Sequence, residues 1–106
     1  YTNTIHVDDL VELIVRALAR GRPARVYNAC DGVDRHQGAL LEAVAAVMGV
    51  ELAPALSPEA ARRELTPMRL SFLEESRRCQ AQRAMTELAW QPRYIDLEAA
   101  VRASLQ

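Results

Sequence analysis

Apolar and polar residues alternate with a period near two over Thr4-Ile5-His6-Val7, and from Asp8 onward the period lengthens to about 3.6, the mark of a strand handing over to a helix. Thr4, Ile5 and Val7 are β-branched and suit a pleated strand, while the carboxylate of Asp8 or Asp9 can cap the free N–H groups of the first helical turn. Leu10, Leu13, Ile14, Ala17 and Leu18 then fall on one helical face, with Glu12, Arg16 and Arg20 on the other. Gly21 closes this helix and Pro23 prevents its resumption. Arg25 to Cys30 has the composition of a second short strand, ended by the turn pair Asp31-Gly32. From Gln37 to Met48 a second helix presents Leu40, Leu41, Val44, Val47 and Met48, and Gly49 ends it. Two strand and helix pairs in succession predict an α/β fold, small and helix-rich, with a few short and mostly parallel strands.

The second half carries fewer periodic residues and more punctuation. Val50 to Leu56 reads as an extended connection, and Ser57-Pro58-Glu59 starts a helix that should end before Thr66-Pro67. Met68 to Ser76 matches neither period and reads as a loop or partial helix. Arg77 to Trp90 holds a short helix with Met85, Leu88 and Trp90 as its apolar residues, stopped by Gln91-Pro92. Asp96 caps the last helix, in which Leu97, Ala100, Val101 and Leu105 face inward. No internal repeat or boundary divides residues 1–106, which form a single domain or a fragment of one.

Composition changes this picture in two ways. Half of the 106 residues are apolar, but many are alanine, so the core is of moderate size. The net charge is −1 and the arginines are scattered among carboxylates, which argues against nucleic acid and anionic membrane as partners. No apolar run approaches the roughly 20 residues that span a bilayer, so the expected location is the cytoplasm. All thirteen basic residues are arginine. Without a lysine the chain cannot form a Schiff base, build a Gly-Lys phosphate loop or supply a Tyr/Lys acid–base pair. The chain opens with Tyr1 inside a strand-like run, which reads as a cut through a longer protein.

Candidate chemistry is sparse. His6 lies where a strand end can meet a ligand, though a packed structural histidine is the commoner case. Cys30 and Cys79 with His6 and His36 lack the close spacing of a structural zinc site, and both cysteines read as small core residues. Trp90 and Tyr94 flank Pro92 and read as anchors between the last two helices rather than as a stacking platform. Arg69, in the stretch with no clear period, is a candidate for a substrate phosphate.

Three separated signatures coincide: Ile5-His6-Val7-Asp8-Asp9-Leu10; Val26-Tyr27-Asn28-Ala29-Cys30-Asp31; and Ser76-Arg77-Arg78-Cys79 followed by Glu87-Leu88-Ala89-Trp90-Gln91-Pro92-Arg93-Tyr94. In this order they resemble the C-terminal third of the extended short-chain dehydrogenase/reductases, the NAD(P)-dependent sugar-nucleotide epimerases and dehydratases. Thr66 to Leu73 looks like the bacterial nucleoside-diphosphate-sugar epimerase branch. The resemblance implies a substrate-binding lobe whose parent holds NAD or NADP on a separate Rossmann domain, together with a Tyr-x-x-x-Lys pair. It also implies that Asn3, just before the strand, approaches the ligand, giving Asn3, His6 and Arg69 as substrate-binding candidates. Neither the glycine-rich turn nor the Tyr/Lys pair is in this sequence, so no cofactor, metal or catalytic residue is expected on the chain alone. The sequence departs from the family pattern at Ala89, where glycine is common, and at Ala81 and His36, where Asn or Ser caps are common. Thr2 and Thr4 stand in the region where many epimerases carry a phosphate-binding arginine. The competing expectation is a non-catalytic module that pairs with itself or with another chain, including a homo-oligomer, through apolar surface a missing domain would cover.

Overall fold

Helices form where the sequence supplies their ends. The computed structural model describes residues 1–106 and contains α1 (Val7–Arg20), α2 (Gln37–Met48), α3 (Pro58–Glu64), α4 (Pro67–Glu74), α5 (Gln82–Leu88) and α6 (Leu97–Ser104). Ser57, Thr66 and Asp96 each accept a hydrogen bond from a backbone N–H of the following first turn, and Pro58 and Pro67 open α3 and α4. Gly49 ends α2 in the left-handed region at φ 67°. Gly21 ends α1 for a different reason: a Cβ there would sit 2.4 Å from the Ala17 carbonyl oxygen. Of the two readings of Met68 to Ser76, the partial helix holds: α4 runs to Glu74, because Thr66 and Pro67 start it without any buried face.

The expected α/β architecture is not formed: there is no sheet, and the only bridge is antiparallel, between Thr2 and Arg35. The predicted strands are extended segments whose backbone groups pair one at a time. Asp31 N–H donates to the Thr4 carbonyl at 2.8 Å and Arg77 N–H to the Tyr1 carbonyl at 3.1 Å. Elsewhere side chains take the place of a ladder: Asn3 Oδ1 accepts from Cys79 N–H, Arg83 donates to the Val26 carbonyl, and Asn28 donates to the Gln80 carbonyl. The first extended run also ends early, since His6 rather than Asp8 or Asp9 occupies the N-cap, its Nδ1 accepting from Asp8 N–H. β-branched content made these segments extended, but without neighbouring backbone to pair with they do not become strands.

Packing is thin. The chain measures 48 × 31 × 17 Å with a radius of gyration of 16.5 Å, against about 13 Å for a compact chain of this size. Only eleven residues are buried, and one cluster holds Leu13, Cys30, Ala81, Ala84, Leu88 and Trp90. α1 packs on α5, α2 on α6 and α3 on α4. The inward face of α1 is narrower than its periodicity predicted: Leu13 is buried and Ala17 packs at the cluster edge, whereas Ile14 and Leu18 point outward with Val7, Val11 and Val15. The other buried residue of α1 is Asp9.

Candidate functional site

Asp9 is fully buried and is the point at which the two ends of the chain meet. Its Oδ2 accepts from the backbone N–H groups of both Arg93 and Tyr94 at 3.0 Å, and its backbone carbonyl accepts from the Trp90 indole N–H at 3.1 Å. The Arg93 guanidinium lies 3.5 Å from Asp9 Oδ1, and Arg16 donates to the Ala89 carbonyl at 2.6 Å. A carboxylate taken from water is tolerable here because it meets two amide donors and a cation. Trp90 therefore anchors the turn after α5 to α1, rather than the last two helices to each other as expected. Around this anchor Ala89 sits in the left-handed region at φ 51°, the conformation that glycine adopts at little cost.

A second buried pair fixes the N-terminal segment. Asp31 Oδ2 accepts from Thr4 Oγ1 at 3.0 Å and from Arg35 Nη1 at 2.5 Å, while Asp31 Oδ1 accepts from Val33 N–H. Arg35 also donates to the Ile95 carbonyl. Thr4, Asp31, Arg35 and the turn before α6 are thus one polar network, and residues 2–4 become a rail between residues 31–35 on one side and 77–79 on the other.

Along that rail lies a polar cleft of about 410 Å³, lined by Tyr1, Thr2, Asn3, Gln37, Phe72, Glu75, Arg77 and Cys79. Tyr1 is held at its rim by stacking on His36 at 4.7 Å and by the Arg78 guanidinium 4.4 Å above its ring. Asn3 spends its Oδ1 on Cys79 and keeps an unpaired, buried Nδ2. The cleft offers hydroxyl, amide and charged groups beside the exposed Phe72 ring, a set suited to binding a hydroxyl-rich molecule. Glu75 is paired with Arg77. No group of three His, Cys, Asp or Glu side chains in the structure could hold a metal ion.

The three candidate residues are not brought together. Asn3 lines the polar cleft; His6 lines a different, apolar cavity between α2 and α6; Arg69 is exposed on α4 and lines neither. Cys30 is buried against the core, its thiol donates to the Cys79 carbonyl at 3.4 Å, and burial pushes the thiol up from its ordinary value. Sequence reasoning missed Asp9 as an anchor and the Asp31–Arg35 pair. The signals were present as spacing, since Asp9 and Leu13 are four residues apart on α1 and so share its inward face.

No protein-family model matches the chain, and no curated protein matches it. Among solved structures, a functionally unknown conserved protein from Silicibacter pomeroyi DSS superposes with a TM-score of 0.82 at 30% identity, over 95% of this chain and 35% of that one. The present chain thus spans about a third of that protein's length. The shared fold is this arrangement of helices and extended rails. No helix is long and apolar enough to cross a membrane.

Proposed function

We propose that the chain is the substrate-binding C-terminal lobe of a cytoplasmic NAD(P)-dependent sugar-nucleotide epimerase or dehydratase, and that it does not turn over substrate by itself. The observation that carries this reading is that the three segments resembling that family, far apart in sequence, meet in space. Asp9 of the first holds Arg93 and Tyr94 of the third, Thr4 beside the first holds Asp31 of the second, and Asn3 holds Cys79. The polar cleft beside Asn3 is the natural seat for the sugar, with Phe72 as a flat apolar wall. The match to one third of a longer solved chain is in keeping with a lobe. The dinucleotide and the acid–base pair come from the parent's other domain, because this sequence has neither the glycine-rich turn nor a lysine.

The test compares the natural gene product containing this sequence with the 106-residue chain. NAD(P)H fluorescence should rise to saturation with the gene product and stay flat with the chain, while a nucleotide sugar should shift backbone amides at Thr2, Asn3 and Arg77 in both. A gene product that binds no dinucleotide sinks the reading.

One observation favours a second reading, a self-associating module: Val7, Val11, Ile14, Val15 and Leu18 form an exposed apolar stripe on α1, with Leu18 84% exposed. Sedimentation across a concentration series decides it, since a strictly monomeric chain excludes association through that stripe.

A further inference from the structure

The cavity between α2 and α6 belongs to neither reading above. It is an open-sided hollow of about 360 Å³, with walls of Leu40, Val44, Leu97 and Val101. That volume falls in the range of small-molecule sites, and an apolar cavity of about 150 Å³ already accepts benzene. Thr4, His6, Asp31 and Tyr94 also line it and are its polar groups. Asp31 and Thr4 are satisfied there by each other and by Arg35.

His6 is not satisfied. Its Nδ1 accepts from Asp8 N–H at 3.1 Å, so a neutral ring carries its proton on Nε2, and that buried N–H meets no acceptor. The Tyr94 ring stacks against the imidazole at 4.0 Å between centroids. An unpaired donor costs free energy unless something completes it, and an apolar cavity with one missing acceptor defines what that something is.

We infer that this cavity is a binding site for a small apolar molecule carrying one hydrogen-bond acceptor, with an aromatic ketone as its simplest form. The hydrocarbon part lies between α2 and α6, and the acceptor takes the His6 Nε2–H in the plane of the imidazole, whose face stays stacked on Tyr94. The claim is independent of the epimerase reading, since it involves neither the polar cleft nor a dinucleotide.

Acetophenone and ethylbenzene have nearly the same shape and differ in the carbonyl, so they separate the two parts of the site. Methyl-resolved NMR titration should show acetophenone shifting Leu40, Val44 and Val101 at millimolar concentrations. Ethylbenzene should bind the same walls about fivefold more weakly for want of the hydrogen bond. A long-range ¹⁵N spectrum should place the His6 proton on Nε2 and shift that nitrogen with acetophenone only. Val44→Phe, which fills the cavity and leaves the Asp9 anchor alone, should abolish binding of both while the circular dichroism spectrum stays unchanged. Any of three results overturns the proposal: neither compound binds, binding survives Val44→Phe in the folded variant, or the shifted methyls are those of the α1 stripe. Equal affinity for the two compounds removes His6 from the site and with it the acceptor claim.

Discussion

The Asp9–Trp90 anchor and the α3–α4 pair are built by opposite means. Around the anchor, α1, α5 and the 89–94 turn share a buried cluster, a buried carboxylate and an indole hydrogen bond spanning 81 residues of sequence. α3 and α4 contribute no buried residue at all, and each exists because a hydroxyl caps it and a proline opens it. The difference teaches that local capping suffices to shape a helix, whereas only the long-range contacts make the structure cooperative.

Four substitutions press on that contrast. Trp90→Ala should cost about 3–5 kcal/mol and unfold the chain as a whole, seen as a fall in the urea midpoint by fluorescence and circular dichroism together. Asp9→Ala, which leaves the buried Arg93 and Tyr94 amides without their acceptor while the indole keeps the backbone carbonyl, should cost about 3 kcal/mol by the same measurement. Ala89→Gly should act in the opposite direction, stabilising by about 1 kcal/mol, because φ 51° strains alanine and not glycine. Thr66→Ala should cost about 1 kcal/mol in α4 alone, so that hydrogen exchange quickens over residues 67–74 and the amides of α1 keep their protection. Loss of protection in α1 as well would show that the two regions are one cooperative unit.

The smallest effect is a pH dependence at the rim of the anchor. Arg25 donates to the Glu87 carboxylate, with Arg22 at 3.5 Å, and this holds Glu87 down at about 2, below its ordinary 4.5. A carboxyl depressed on folding stabilises the folded state fully above pH 4.5, and the contribution fades as pH falls toward 2. Glu87→Gln should therefore lower the thermal midpoint at pH 7 and leave it unchanged near pH 2.

What could be read from the sequence follows the same division. Ser57 and Asp96 act within three or four residues, so the starts of α3 and α6 were legible, whereas Thr66-Pro67 was read as the stop of α3 and not as the start of α4. The strands expected over Thr4 to Val7 and Arg25 to Cys30 did not form, Val7 already belonging to α1, since a strand depends on a neighbour that local composition does not describe. Ile14 and Leu18 were assigned to the core because periodicity finds an apolar face and not what it packs against. α1 is apolar on one side, but Asp9 and Leu13 at the border of that side are what is buried, and most of the apolar face is left outside. Of the candidate site, Asn3 and His6 could be picked out as residues, but that they serve separate cavities depends on how residues 2–6 are clamped from both sides.

The span of the anchor has a further consequence during synthesis. Asp9 leaves the ribosome before the amides and indole that satisfy it, which follow more than eighty residues later. Until the 90–94 turn emerges α1 lacks its buried partner, so this stretch of the nascent chain stays open to wrong contacts over that interval.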